Sequence, residues 1–120
     1  MKQYDIWWAE LPPPAGRRPV LVLTRTAACR YLNKVMVAEI TTTVRGIAQE
    51  VALGPDEGLP AACVANFDNV QTIAKPLLVL QVGRLAAGRY REVKRALGHA
   101  LDWAEIAEIE ALGGRGASKA

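Results

Sequence analysis

A turn rich in proline and glycine runs directly into an aliphatic segment at residues 16–24, and it carries two adjacent arginines, Arg17 and Arg18. Residues 19–24 have apolar side chains on both alternating sides, which predicts a strand buried on both faces. Because proline stiffens this backbone, Arg18 is expected on a rigid element beside a buried strand. A fixed guanidinium suits a phosphate-binding site. The alternative is a solvated pair of charges where a loop becomes a strand.

The size of the chain limits its architecture and its location. Its 120 residues, 51% of them hydrophobic, fit one compact domain with a real core. No apolar run approaches the roughly 20 residues that span a bilayer, and the first residues do not resemble a signal peptide. A cytoplasmic protein without membrane contact is therefore predicted. A net charge of +3 agrees with an anionic partner such as RNA, although many ordinary domains are this basic.

Two cysteines, Cys29 and Cys63, have neither metal-ligand spacing nor a companion histidine nearby. They are predicted to be reduced and mostly buried thiols, and no metal site is predicted. Trp7 and Trp8 are adjacent in a predicted strand, so their side chains should point to opposite faces. One should enter the core, and the other should cover a surface or an interface.

Short apolar segments separated by turn residues predict a mainly β domain, and the apolar period becomes helical after residue 86. Six strands followed by one C-terminal helix imply a small, partly open barrel. One helical stripe contains Tyr90, Val93, Leu97 and Leu101. The predicted strands are 5–11, 19–24, 35–43, 49–53, 62–73 and 78–85.

Helical spacing continues beyond Leu101, where the exposed residues become acidic. This pattern predicts one helix as far as residue 112, so the domain should span 1–112, with a flexible tail at 113–120. The apolar stripe of this extension should pack on the barrel or form a dimer contact, and the alternative is a frayed extension. The stripe comprises Trp103, Ile106, Ile109 and Leu112.

The order of these motifs resembles the MazF/PemK family of toxin ribonucleases. The resemblance covers roughly residues 4–102, and each motif alone is weak, but six in the right order are hard to obtain by accident. The matching segments are residues 5–12 (DIWWAELP), 18–22 (RPVLV), 37–41 (VAEIT), 58–60 (GLP), 66–73 (NFDNVQTI) and 82–85 (VGRL), and the helix at 96–101 also resembles the family's ending.

The resemblance implies an SH3-like barrel of the MazF/PemK/CcdB type with a C-terminal helix, assembled as a homodimer. It also implies cleavage of single-stranded RNA at a short sequence, without a metal or other cofactor, and control by a MazE-like antitoxin. The family's catalytic pair, the arginine before the proline and the threonine closing the third strand, falls on Arg18 and Thr41.

Two segments depart from the family pattern. Residues 14–17 replace a longer segment that contains Gly-Ser-Glu in relatives, and any role of that segment is lost or relocated. Asp68 and Asn69 stand where the family usually has an Asp-Gln pair. The resemblance therefore does not carry a base preference over to this chain.

Metal-free RNA cleavage by a neighbouring 2′-hydroxyl needs a proton acceptor, a proton donor and a group that stabilises charge on phosphorus. Arg18 best fits the third role, and acid catalysis is a second assignment, because arginine keeps its proton at working pH. Thr41 can donate a hydrogen bond to phosphate or orient the 2′-hydroxyl, and the alternative is a threonine that satisfies backbone. The one histidine, His99, is predicted to be structural or exposed.

Further polar residues are candidates for binding RNA. Arg17, Thr42, Thr43 and Arg45 could extend a phosphate track, although Arg17 could equally be a solvated charge. Base edges could be read by Asn33, Asn66, Asp68, Asn69 and Gln71, and the alternative is that they cap turns. Two carboxylates, Glu10 and Glu39, are candidates for orienting Arg18.

Two other functions stay open at this level. One is a non-catalytic toxin of the same fold that resembles the CcdB group and inactivates a topoisomerase by protein contact. The other is a basic barrel that binds nucleic acid without cutting it. The arginine–proline strand start together with Thr41 favours the nuclease.

Overall fold

The computed structural model describes residues 1–109 and contains an antiparallel six-stranded sheet, curled into a half-barrel and followed by a C-terminal helix. The predicted partly open barrel is confirmed. The strand order across the sheet is β4-β5-β3-β2-β1-β6. The strands are β1 (Asp5–Glu10), β2 (Arg17–Val22), β3 (Lys34–Thr41), β4 (Glu50–Leu53), β5 (Cys63–Ala74) and β6 (Leu78–Arg84).

The strand β2 begins two residues earlier than the sequence predicted. Its first residues, Arg17 and Arg18, pair with Glu10 and Ala9 of β1, so the sheet and not the loop positions both arginines. The strand β3 ends at Thr41, two residues before the predicted end at 43. A 3-10 turn at Thr26–Arg30 occupies the basic segment between β2 and β3.

Apolar side chains cover both faces of β2, as predicted. Val20, Leu21 and Val22 are all 0% exposed. Leu21 belongs to a first core cluster that includes Val93 of the C-terminal helix, whereas Val20 and Val22 belong to a second cluster on the opposite face. The middle of the sheet is therefore held from both sides, which fixes the position of β2.

The predicted single helix from residue 90 to 112 is wrong, because the helix α1 (Tyr90–Leu101) ends at Asp102. Asp102 adopts a left-handed conformation with φ 56°. The Trp103 N–H donates to the Gly98 carbonyl at 2.8 Å and the Asp102 N–H donates to the His99 carbonyl at 3.3 Å. These two bonds form a Schellman motif, which ends a helix by satisfying its last carbonyls.

A second short helix, α2 (Ala104–Ala107), folds back against α1. Gly98 permits this contact, because a Cβ atom there would overlap the backbone of Ile106 and Ala107. The predicted stripe therefore does not lie on one helix, and Trp103 stays 52% exposed. Leu112 and the predicted tail at 113–120 lie outside the described residues. None of the helices within residues 1–109 is both long and apolar enough to span a bilayer.

Arg89 joins the start of α1 to the loop after β4. Its Nη1 lies 3.3 Å from the Glu57 carboxylate, its Nη2 donates to the Ala52 carbonyl at 2.6 Å, and it also bonds Glu92 at 2.7 Å. Glu57 is buried and accepts the Gly54 N–H at 2.7 Å. The hydrogen bond with Arg89 lowers the pKa of Glu92 below its ordinary value. Arg89 therefore neutralises a buried carboxylate and fixes the loop beneath the helix.

Replacing Arg89 with methionine should lower the free energy of unfolding by about 1–3 kcal/mol, because Glu57 would stay buried without its cation. Urea unfolding at neutral pH measures this loss. Arg91→Met is the matched control, since Arg91 is exposed on the same helix and should change stability little.

The same substitution predicts a pH dependence. A carboxylate whose folded-state pKa is lowered stabilises the fold above its ordinary pKa, and this stabilisation is lost as the pH falls through the folded-state pKa. The difference in stability between wild type and Arg89→Met should therefore shrink in acid. A difference that stays constant across the acid range would contradict the role given to Glu92.

Candidate active site

Arg18 and Thr41 lie at matching ends of two neighbouring strands. The register pairs Val20 with Glu39, and continuing it by two residues places Arg18 opposite Thr41. The hydrogen-bonded pairing stops at Val20 because Pro19, the next residue, has no N–H to donate to the ladder. Residues opposite each other in an antiparallel pair project from the same face. The register therefore puts the two candidate catalytic residues on the same face at neighbouring strand ends.

A carboxylate holds the Arg18 side chain in place. Arg18 Nη1 donates to Glu39 Oε1 at 3.0 Å, and Gln71 Nε2 donates to Glu39 Oε2 at 2.7 Å. The side chains of Arg18 and Glu39 are 33% and 17% exposed, so the pair is partly removed from water. Charge-assisted bonds of this kind fix geometry better than exposed ion pairs do. Of the two candidate orienting carboxylates, Glu39 contacts Arg18.

Arg17 points away from this site because neighbouring residues of a strand alternate faces. It forms an ion pair with Glu10 at 2.9 Å, with both side chains about half exposed. Its guanidinium carbon also lies 5.5 Å from the centre of the Trp8 ring. Glu10 therefore orients Arg17 rather than Arg18, and such an exposed pair contributes little stability.

An apolar recess of about 100 Å³ lies beside Thr41, and sequence analysis missed it. Trp8 forms one wall, whereas Trp7 packs on the second core cluster, so the two tryptophans face opposite ways as predicted. In the sequence, only the alternation of these tryptophans indicated the wall that Trp8 forms. The other wall comes from loops that are distant along the chain. The recess is lined by Trp8, Pro19, Ile40, Thr41, Thr42, Leu59, Pro60, Ala61 and Cys63.

The loop after β3 carries three of the predicted RNA-binding residues, Thr42, Thr43 and Arg45, all exposed. The Thr43 N–H donates to the Thr41 hydroxyl oxygen at 3.1 Å, which is the backbone-satisfying role that the sequence left open. That bond uses only a lone pair of the hydroxyl, so its proton can still be donated. The Glu50 carboxylate accepts the Arg45 N–H at 3.1 Å and ties down the loop.

A break in the pairing between β3 and β5 positions the polar residues of β5. Ala38 pairs with Val70 but Glu39 pairs with Asn66, so three residues of β5 bulge between these pairs. Two of the three are Asp68 and Asn69, both exposed. Gln71, which pairs with Val37 beside the bulge, reaches the Glu39 carboxylate.

Asn66 and Asn33 have different surroundings. Asn66 is 7% exposed, and its Oδ1 accepts the Asp68 N–H at 2.9 Å, which is the turn-capping interpretation. Asn33 precedes β3 at the end opposite Thr41, and its carbonyl accepts the Lys75 N–H. The eight residue steps from Asn33 to Thr41 span about 26 Å of extended chain. The structure therefore does not bring Asn33 to the site.

The remaining candidates for acid, base or nucleophilic chemistry lie apart from Arg18. His99 is exposed on α1, in agreement with its prediction. Cys29 and Cys63 are buried free thiols, also as predicted. Across residues 1–109, no group of three His, Cys, Asp or Glu side chains is arranged to hold a metal ion.

Cys63 lines the recess beside Thr41, but burial, assisted by the charge of Glu57, raises the pKa of its thiol. A raised pKa leaves less thiolate at neutral pH, so Cys63 should be a poor nucleophile. Iodoacetamide should label it slowly in the folded protein at neutral pH and faster only above the ordinary pKa of a thiol. Mass spectrometry of the labelled peptide checks this, with urea-unfolded protein as the control. Rapid labelling of the folded protein at neutral pH would contradict it.

Fold and site together define a small barrel in which a carboxylate-bound arginine and a strand-end threonine share one face. The sequence profile described as "PemK-like, MazF-like toxin of type II toxin-antitoxin system" matches residues 2–101. The chain belongs to this family.

Two curated relatives come from Mycobacterium tuberculosis. Probable endoribonuclease MazF5 is 42% identical over 99 residues, which cover 82% of this chain and 90% of that protein. Endoribonuclease MazF3 is 46% identical over 88 residues, which cover 72% of this chain and 85% of that protein.

Solved structures agree with the fold. The Mycobacterium tuberculosis toxin MazF-mt6 superimposes with a TM-score of 0.77 at 42% identity, covering 82% of this chain and 96% of that one. A mycobacterial endoribonuclease, solved in complex with its cognate antitoxin, gives a TM-score of 0.74 at 27% identity, covering 86% of this chain and 96% of that one.

Proposed function

We propose that this protein is the toxin of a toxin–antitoxin pair and that it cleaves single-stranded RNA by 2′-hydroxyl attack, without a metal or other cofactor. The observation that carries the proposal is the placement of Arg18 and Thr41 on one face at adjacent strand tips, with Arg18 anchored on Glu39. Two curated relatives are named as endoribonucleases, and the match covers most of their length, which supports the same activity.

Arg18 supplies the charge that the reaction needs. Glu39 engages one terminal nitrogen, Nη1, and the guanidinium fork has further N–H donors that can bond two phosphate oxygens. Negative charge grows on these oxygens as the 2′-oxygen attacks, and a preorganised cation stabilises that state more than the ground state. The Thr41 hydroxyl donates to one non-bridging oxygen from the neighbouring strand.

The surroundings of this pair suit an extended RNA strand. The exposed loop residues Thr42, Thr43 and Arg45 continue from Thr41 and offer contacts to further phosphates. Asp68 and Asn69, exposed on the β5 bulge, present donors and acceptors that read unpaired bases. Arg17 lies on the other face and is less suited to the scissile phosphate.

The partners follow from the family. A solved relative at 27% identity is bound to its cognate antitoxin, and this supports a MazE-like antitoxin for this chain. A homodimer and a cytoplasmic location are part of the proposal. A CcdB-like toxin that acts only by binding protein is less favoured, because the curated relatives are named as endoribonucleases and the site holds an anchored arginine.

Arg18→Ala should lower the cleavage rate about a hundredfold to a thousandfold, because it removes a preorganised charge at the phosphate. The assay uses a long single-stranded RNA with a chelator present, and it detects fragments that end in 2′,3′-cyclic phosphate. Arg17→Ala is the matched control, since it removes the neighbouring arginine from the opposite face and should leave kcat unchanged. Full activity of Arg18→Ala would refute the assigned role, and full toxicity without cleavage would support the protein-binding alternative.

Thr41→Val keeps the shape of the side chain and removes its hydroxyl. A hydrogen bond to a charged group contributes about 1.5–3 kcal/mol, so the rate should fall roughly tenfold to a hundredfold. Thr41→Ser restores the hydroxyl and should recover most of the rate. Equal activities of the valine and serine variants would show that the hydroxyl takes no part in cleavage.

A further inference from the structure

In the proposed reaction, no residue is yet assigned as the acceptor of the 2′-hydroxyl proton. Arg18 keeps its own proton at working pH and a threonine hydroxyl is a weak base. His99, exposed on α1, belongs to a different part of the molecule from the strand tips. The inference that follows rests on the proposed ribonuclease function and concerns this role alone.

Glu39 has the geometry of a proton acceptor at this site. It lies two residues before Thr41 on β3, so the two side chains project from the same face about 7 Å apart along the strand. A phosphate held between Arg18 and Thr41 would therefore place the preceding ribose over Glu39. Its side chain is 17% exposed, which leaves an opening towards a bound substrate.

Two neighbouring side chains hold the Glu39 carboxylate in place. From β2, Arg18 bonds Oε1, and from β5, Gln71 bonds Oε2. Asn66, its pairing partner on β5, is uncharged. Among residues 1–109, Arg18 supplies the charged group in contact with the carboxylate. Each carboxylate oxygen can accept more than one hydrogen bond, so both bonds can persist while the carboxylate binds a hydroxyl.

We infer that Glu39 is the general base of this enzyme. Glu39 takes the proton of the 2′-hydroxyl as the 2′-oxygen forms a bond to phosphorus. The bond from phosphorus to the 5′-oxygen breaks, and that oxygen takes a proton from solvent water. Arg18 and Thr41 stabilise the charge on the non-bridging oxygens. The products are a 2′,3′-cyclic phosphate and a 5′-hydroxyl, and Glu39 returns its proton to solvent.

Glu39→Gln tests this role, because it keeps the size of the side chain and removes its basicity. General base catalysis contributes about a hundredfold to ten-thousandfold, so kcat under single-turnover conditions should fall by that factor with KM little changed. Glu10→Gln is the matched control, since Glu10 is a carboxylate bonded to the neighbouring arginine on the other face. It should cleave at the wild-type rate.

The pH profile separates a base from a positioning residue. The wild-type rate should fall in acid as the base is protonated, and Glu39→Asp should keep this acid limb at a reduced rate. Glu39→Gln should lose the limb. A persisting limb in Glu39→Gln, or no further loss when this change is added to Arg18→Ala, would show that Glu39 only positions Arg18 and would overturn the inference.

Two further outcomes are decisive. A faster rate for Glu39→Gln would mean that the carboxylate obstructs Arg18, and an unchanged rate would exclude it from catalysis. Either result overturns the inference while wild-type cleavage still stands. Failure of the wild type to cut any RNA would instead overturn the proposed function. Urea unfolding and RNA affinity of each variant establish that the site is folded.

Discussion

Burial of β2 on both faces fixes where the charges at its start can lie. Val20 and Leu21 are enclosed by different core clusters, so the strand cannot rotate without exposing one of them. Arg17 and Arg18 must consequently face opposite sides of the sheet. Of these two arginines, Arg18 forms its ion pair with a partly buried carboxylate, Glu39. That ion pair holds a cation in a fixed position at the end of the strand.

The ion pair has a consequence for chemistry as well as for geometry. A guanidinium bonded through one nitrogen keeps other donors for phosphate, and the Glu39 carboxylate is held in place by Arg18 and Gln71. In the proposed reaction these charges would already be oriented in the free protein, so little reorganisation would be needed. On the other face, Trp8 and the recess beside Thr41 present apolar surface next to the exposed Arg17–Glu10 pair.

Local pattern predicted a large part of this molecule. The apolar segments located all six strands, with errors of at most two residues at their ends. They could do so because a half-buried strand alternates apolar and polar residues along the sequence. The arginine–proline strand start singled out Arg18, and family resemblance supplied Thr41. The helical period after residue 86 was also correct as far as Leu101, but it did not predict the break at Asp102. Beyond this break α2 folds back against α1, which the absence of a side chain at Gly98 permits.

The sequence by itself determined the strands and the two-sided burial of β2, since these depend on neighbours along the chain. Tertiary structure alone decided that Arg17 and Arg18 lie within the sheet, and that Glu39 contacts Arg18 while Glu10 contacts Arg17. Those outcomes depend on the register between strands distant in sequence and on the bulge in β5. A shift of one residue in the register of a strand would turn the same side chains to the other face of the sheet.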